Sequence, residues 1–241
     1  MLQQLYKKDE LWFAIIFIII YVVGTSITDN ISRDLGVAKS LTTLFLIVLS
    51  GSILLFIKKN KLSTYYGLCK PNLPAQKLLF YIPLILLIVP KLIFGVQINY
   101  SPIETIFFIL SMLFVGFLEE VIFRGFLFKA LCKDNVKTAI IVSSLTFGIG
   151  HIVNLINGSG SDLISTLCQI CYAISIGFMF VMLFYRTKSL WSCIILHGVY
   201  NSTSAFTNHE MINTYIIPGT IAIIVISLGY SLFLIKNTPQ P

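Results

Sequence analysis

Charge is what this sequence has least of. Of its 241 residues 11% are charged, whereas a soluble domain carries about 25%, while 56% are hydrophobic and the mean hydropathy is +0.89. A chain so poor in charge cannot clothe a water-facing surface, which excludes an ordinary soluble enzyme. Two catalytic signatures are also missing. No H-E-x-x-H occurs and no serine has an evident base partner, so neither a common zinc protease nor a serine protease is indicated. Cysteines are few: Cys69, Cys132, Cys168, Cys171 and Cys193 fall in apolar helices or in loops expected inside the cell, where thiols stay reduced, and no disulfide is expected. Cys168 and Cys171 form a C-x-x-C in mid-helix without a second pair, and packing is the better reading than zinc or a redox turn.

What the sequence does hold is a series of long apolar runs. They lie near 11–27, 41–57, 78–94, 104–131, 138–156, 164–185, 190–207 and 212–235. Most approach the roughly 20 residues that cross a hydrocarbon core of about 30 Å. The expected fold is therefore all-α: a polytopic bundle of about eight transmembrane helices forming a single membrane-embedded domain over 1–241. The first run follows Lys7 and Lys8 as a signal peptide would, but lacks a small-x-small cleavage site and reads as a retained helix. With the N-terminus inside, the inner connections hold most of the lysines and the outer ones only Arg33 and Lys39, balanced by Asp29 and Asp34. The positive-inside rule then places both termini in the cytoplasm and accounts for the net charge of +7 without nucleic acid. Lys91, near the end of the third run, is expected to snorkel to the interface. Lysine outnumbers arginine and isoleucine outnumbers alanine, a bias associated with AT-rich bacterial genomes.

Against this background a few polar residues stand out. Glu119 and Glu120 are the one acidic pair well inside a run, where a carboxylate costs roughly 2.5 to 3.5 kcal/mol. Arg124 follows Glu120 by four residues, one helical turn, so the two can pair. Adjacent helical residues point about 100° apart, and Glu119 is left unexplained by that pair. Of three histidines, His151 and His197 lie inside runs. His151 follows Phe147 by four residues, with Gly148 and Gly150 between them permitting close helix approach, and His197 shares a helix face with Asn201. Counted from the nearest inner lysines at about 1.5 Å per residue, Glu120, His151 and His197 all lie roughly 13 to 21 Å into the bilayer. They can therefore line one polar cavity. Carboxylate and imidazole together suit activation of water, directly or through a shared metal, and asparagine with a second histidine suits stabilisation of an oxyanion. Hydrolysis of a peptide or amide bond inside the membrane is the reaction class this set supports.

At these residues the chain resembles the CPBP intramembrane proteases, the family of the type II CAAX prenyl endopeptidases and of bacteriocin-processing or immunity proteins. The E-E-x-x-x-R pattern reads Glu119-Glu120-Val121-Ile122-Phe123-Arg124, the F-x-x-x-H pattern runs from Phe147 to His151, and the H-x-x-x-N pattern from His197 to Asn201. The resemblance marks 104–207 as the catalytic core. It implies that Glu119 is the general base acting with His151 on water, that His197 and Asn201 form the oxyanion site, and that Glu120 and Arg124 support them. Whether zinc takes part is disputed for the family. A glutamate base without metal is the preferred reading; if zinc were bound, Glu120, His151 and His197 would be its candidate ligands. The expected partners are membrane lipids and a small membrane-associated peptide or protein substrate, such as a peptide pheromone or bacteriocin, in the cell membrane. The alternatives are a non-enzymatic immunity or peptide-binding protein and a proton-coupled transporter. The second is disfavoured because the prolines of the third run have no counterpart in a later half.

Overall fold

A computed structural model describes residues 2–93, 95–158 and 160–239. The described chain is helical, with one isolated antiparallel bridge between Val96 and Thr207. In order the helices are α1 (Leu2–Lys8), α2 (Glu10–Asp34), α3 (Ser40–Lys59), α4 (Ala75–Leu78), α5 (Tyr81–Ile93), α6 (Pro102–Glu119), α7 (Phe128–Leu131), α8 (Val136–Ile149), α9 (Leu163–Thr187), α10 (Trp191–Ser202), α11 (His209–Thr214) and α12 (Ile216–Asn237). A π-helical stretch, Glu120–Leu127, joins α6 to α7, and 3-10 turns, Gly150–Leu155 and Thr203–Phe206, follow α8 and α10.

Short polar residues start these helices where an apolar run needs its first N–H groups satisfied. Asp9 accepts from the N–H of Leu11 and Trp12, and Asn135 from that of Thr138. Asp162 accepts from the N–H and hydroxyl of Ser165, which holds its carboxyl below the ordinary range. Ser101 and Glu104 form a reciprocal capping box, with Pro102 in the first turn of α6.

Six helices among the described residues are long and apolar enough to span a bilayer: Glu10–Asp34, Ser40–Lys59, Pro102–Leu131, Val136–Leu155, Leu163–Thr187 and Ile216–Asn237. Their outward faces carry exposed Ile20, Val23, Val48, Leu55, Val225 and Leu232, a surface suited to lipid rather than water. The third and seventh expected runs form shorter helices. α5 has 13 residues, with Pro90 inside, and α10 has 12 followed by a 3-10 turn. At 1.5 Å per residue each reaches roughly 20 Å, less than a full hydrocarbon core. Residue 94, the expected end of the third run, lies outside the described residues.

The centre of the bundle is built on close backbone approach. α6 packs on α10 where Gly116 meets Gly198; a Cβ on Gly116 would sit 2.7 Å from the Gly198 nitrogen. α8 packs on α9 through Gly148, whose Cβ would meet the Ile174 nitrogen at 2.7 Å. Gly150, also expected to serve close approach, has nothing within 4 Å of its Cβ position; it opens the 3-10 turn instead. Lys91 departs from expectation as well. Rather than reaching out to the interface, its ammonium donates to the Tyr200 carbonyl (3.2 Å) and the Ser204 hydroxyl (3.1 Å) and lies 3.7 Å from the Tyr200 ring centroid. The negative end of α10 offers a cation more than an apolar rim does.

Replacing Gly116 by Ala should destabilise the fold by about 1 to 3 kcal/mol through overpacking against the α10 backbone. Gly229→Ala in α12, where nothing lies within 4 Å, serves as the control. Thermal unfolding in detergent should show a lowered midpoint for the first and none for the second.

Candidate active site

Glu119 ends α6 and Glu120 begins the π-helical stretch, so the two carboxylates leave the backbone at a change of helical winding. Such π segments are rare and often sit at functional sites. Glu120 turns inward and is wholly buried, as is Arg124. Its Oε1 accepts from Arg124 Nη1 at 3.2 Å and from His197 Nδ1 at 2.8 Å. A carboxylate paired with a guanidinium only accepts, so Nδ1 of His197 carries a proton. The other ring nitrogen, Nε2, lies 3.5 Å from Glu119 Oε2. His197 therefore stands between the two carboxylates. It reaches them because Gly116 and Gly198 let α10 lie directly against α6.

Phe147 organises the other side. Its ring lies 4.0 Å from the Arg124 guanidinium carbon, and Phe180 is 5.5 Å from the same atom. Both rings also contact the imidazole of His197, with centroids 5.9 and 5.5 Å away. Arg124 Nε and Nη2 and Glu120 Oε2 have no hydrogen-bond partner among the described residues. The aromatic faces supply the guanidinium with a favourable electrostatic surface where hydrogen bonds are lacking. The Phe147 carbonyl, close to the point where α8 tightens into the 3-10 turn, accepts from His151 Nδ1 at 3.1 Å. A carbonyl has no proton to give, so Nδ1 of His151 carries a proton, and in the neutral tautomer Nε2 is the acceptor.

These groups face a cavity of about 270 Å³. Glu119, Phe147, His151, His197 and Asn201 all line it, whereas Glu120 and Arg124 lie behind its wall. All six expected site residues thus gather around one space, in two layers. From α2 the cavity is lined by Tyr21, Thr25 and Asp29, spaced four residues apart on one helix face. Tyr21 donates its hydroxyl to Glu119 Oε1 at 2.6 Å. The sequence reading missed this residue. The four-residue polar spacing along an apolar span was the available signal, but it does not say which helix the stripe faces.

The three side chains expected to hold zinc are not brought together as a ligand set. Glu120 Oε1 is engaged with Arg124 and His197, His151 Nδ1 is engaged with the Phe147 carbonyl, and among the described residues no three His, Cys, Asp or Glu side chains are grouped to hold a metal.

Residues 101–203, from the start of α6 to the end of α10, match the family model described as type II CAAX prenyl endopeptidase Rce1-like. Over these residues, fewer than half of the chain, the protein resembles that family. A Bacillus subtilis (strain 168) protein named "Putative membrane peptidase YdiL" is 31% identical over 109 residues, which cover 45% of this chain and 39% of that protein. The match thus spans about two fifths of the relative's length. No solved structure matches the chain. The Rce1-like segment carries both carboxylates, Arg124, Phe147, both histidines and Asn201; Tyr21 comes from outside it.

Arg124→Met should cost about 3 to 5 kcal/mol, because it removes the positive charge from a buried carboxylate. Combining it with Glu120→Gln should recover part of that loss. A double-mutant cycle from thermal unfolding in detergent measures the coupling, and strict additivity would contradict the pairing.

Proposed function

We propose that this chain is an intramembrane endopeptidase that hydrolyses a peptide bond of a small membrane-associated peptide by a glutamate-activated water. The observation that carries the reading is the placement of Glu119 and His197, 3.5 Å apart, on the wall of a cavity that His151 and Asn201 also line. The match to the family model and the curated relative's name support a protease in general terms.

In this reading Glu119 takes a proton from a water in the cavity while the neutral Nε2 of His151 holds that water by its other hydrogen. The water oxygen bonds to the scissile carbonyl carbon and the carbonyl electrons move onto oxygen. The resulting oxyanion is met by the side-chain amide of Asn201 and by Nε2–H of His197. The imidazole is oriented by Glu120, which faces its Nδ1 and is itself held by Arg124. Glu119 then passes its proton to the departing amide nitrogen as the C–N bond breaks, leaving a carboxylic acid and an amine. Arg124 offsets the charge of the buried Glu120 carboxylate in its apolar surroundings. No step calls on a metal. A peptide pheromone or bacteriocin-like peptide is the substrate class proposed.

Purified protein in detergent, incubated with short membrane-active peptides with and without a chelator and followed by mass spectrometry, tests this directly. Cleavage should persist with chelator. Glu119→Gln and His151→Ala should each lower the rate by about 10² to 10⁴, and Asn201→Ala by about 10² to 10³. Undiminished cleavage in Glu119→Gln would overturn the reading, and absence of cleavage by the parent protein would favour a non-enzymatic peptide-binding role.

A further inference from the structure

Tyr21 sits in the middle of α2, in a region the Rce1-like match does not reach. It is 7% exposed and packs within the main apolar core. A phenol buried in that way needs a hydrogen-bond partner. Its neighbours on α2 find theirs locally: Thr25, Ser26 and Thr28 each donate to a carbonyl of the preceding turn. Tyr21 instead reaches 98 positions along the chain to Glu119 Oε1, at 2.6 Å.

The consequence for Glu119 is geometric. The terminal torsion of a glutamate is broad, so a free carboxylate swings between its oxygens. With Oε1 held by Tyr21, Oε2 is the oxygen left toward His197, at 3.5 Å. The phenol also supplies a charge-assisted hydrogen bond to an anion that has little water around it. α2 contacts the π-helical stretch along its length, so the donor is carried on a packed helix rather than a loop.

We infer that Tyr21 is a positioning residue for the proposed hydrolysis: its hydroxyl fixes the Glu119 carboxylate so that Oε2 faces the water to be activated. This rests on Glu119 being the base, and the site is completed by a helix outside the family segment.

Two measurements test it, one of which needs no substrate. Infrared difference spectra, with the Tyr21 C–O stretch assigned by its loss in Tyr21→Phe, should show that band shifting when Glu119 is changed to Gln. A band that does not move would overturn the inference, whether or not the protein cleaves anything. In the peptide assay, Tyr21→Phe should lower kcat about tenfold or more with KM within twofold, while thermal unfolding shows a folded protein. A folded Tyr21→Phe with kcat within twofold of the parent, or with the loss confined to KM, would also overturn it. A shifted band together with no cleavage by the parent protein would leave the Tyr21–Glu119 bond established and place the failure in the proposed reaction.

Discussion

The structure depends on the Glu120 carboxylate. A charged group with no exposure inside a lipid-facing bundle is tolerable only when it is paired, and Glu120 is paired twice, with Arg124 along its own helix and with His197 across to α10. That double bond ties the segment around the first motif to the helix of the third. Phe147 and Phe180 then close over the guanidinium and the imidazole together, so the second motif is joined to the other two by aromatic contact rather than by charge. The phenylalanine of the F-x-x-x-H pattern thereby has three physical roles: a ring under Arg124, an edge against His197, and a carbonyl that sets the tautomer of His151.

This arrangement separates support from reactivity. Behind the cavity wall Glu120 and Arg124 are buried as a pair; on the wall stand Glu119, with 13% side-chain exposure, His151, His197 and Asn201. The glycine contact between α6 and α10 makes the separation possible. A side chain at Gly116 would push α10 and His197 away from the carboxylates, since its Cβ would meet the Gly198 backbone at 2.7 Å. Adjacent helical positions point about 100° apart, so one carboxylate turns inward and the other toward Tyr21 and the cavity.

Much of the fold was legible because lipid as a solvent imposes a length and a composition on each span. The six long helices fall where the apolar runs lie. Where the helices are shorter than the apolar runs, the cause is that hydropathy measures composition and not continuity. The runs at 78–94 and 190–207 are apolar, yet they fold as 13- and 12-residue helices interrupted by Pro90 or ending in a 3-10 turn. Lys91 was misread for a related reason. A rule about charge near a span's end assumes lipid and water as the only alternatives, and overlooks a carbonyl at the end of a neighbouring helix.

From the sequence alone came the membrane-embedded helical class, the unusual cost of two adjacent carboxylates, the pairing of Glu120 with Arg124, and the six residues that later gather at the cavity. Each follows from local spacing or from the price of charge in hydrocarbon, and neither depends on the path of the chain. Only the tertiary structure decided that His197 stands between both carboxylates, that His151 bonds to the Phe147 carbonyl, and that Tyr21 holds Glu119. Those contacts join residues up to 98 positions apart, across helices whose neighbours are chosen by glycine contacts and aromatic packing, and no periodicity within one helix records which other helix it will face.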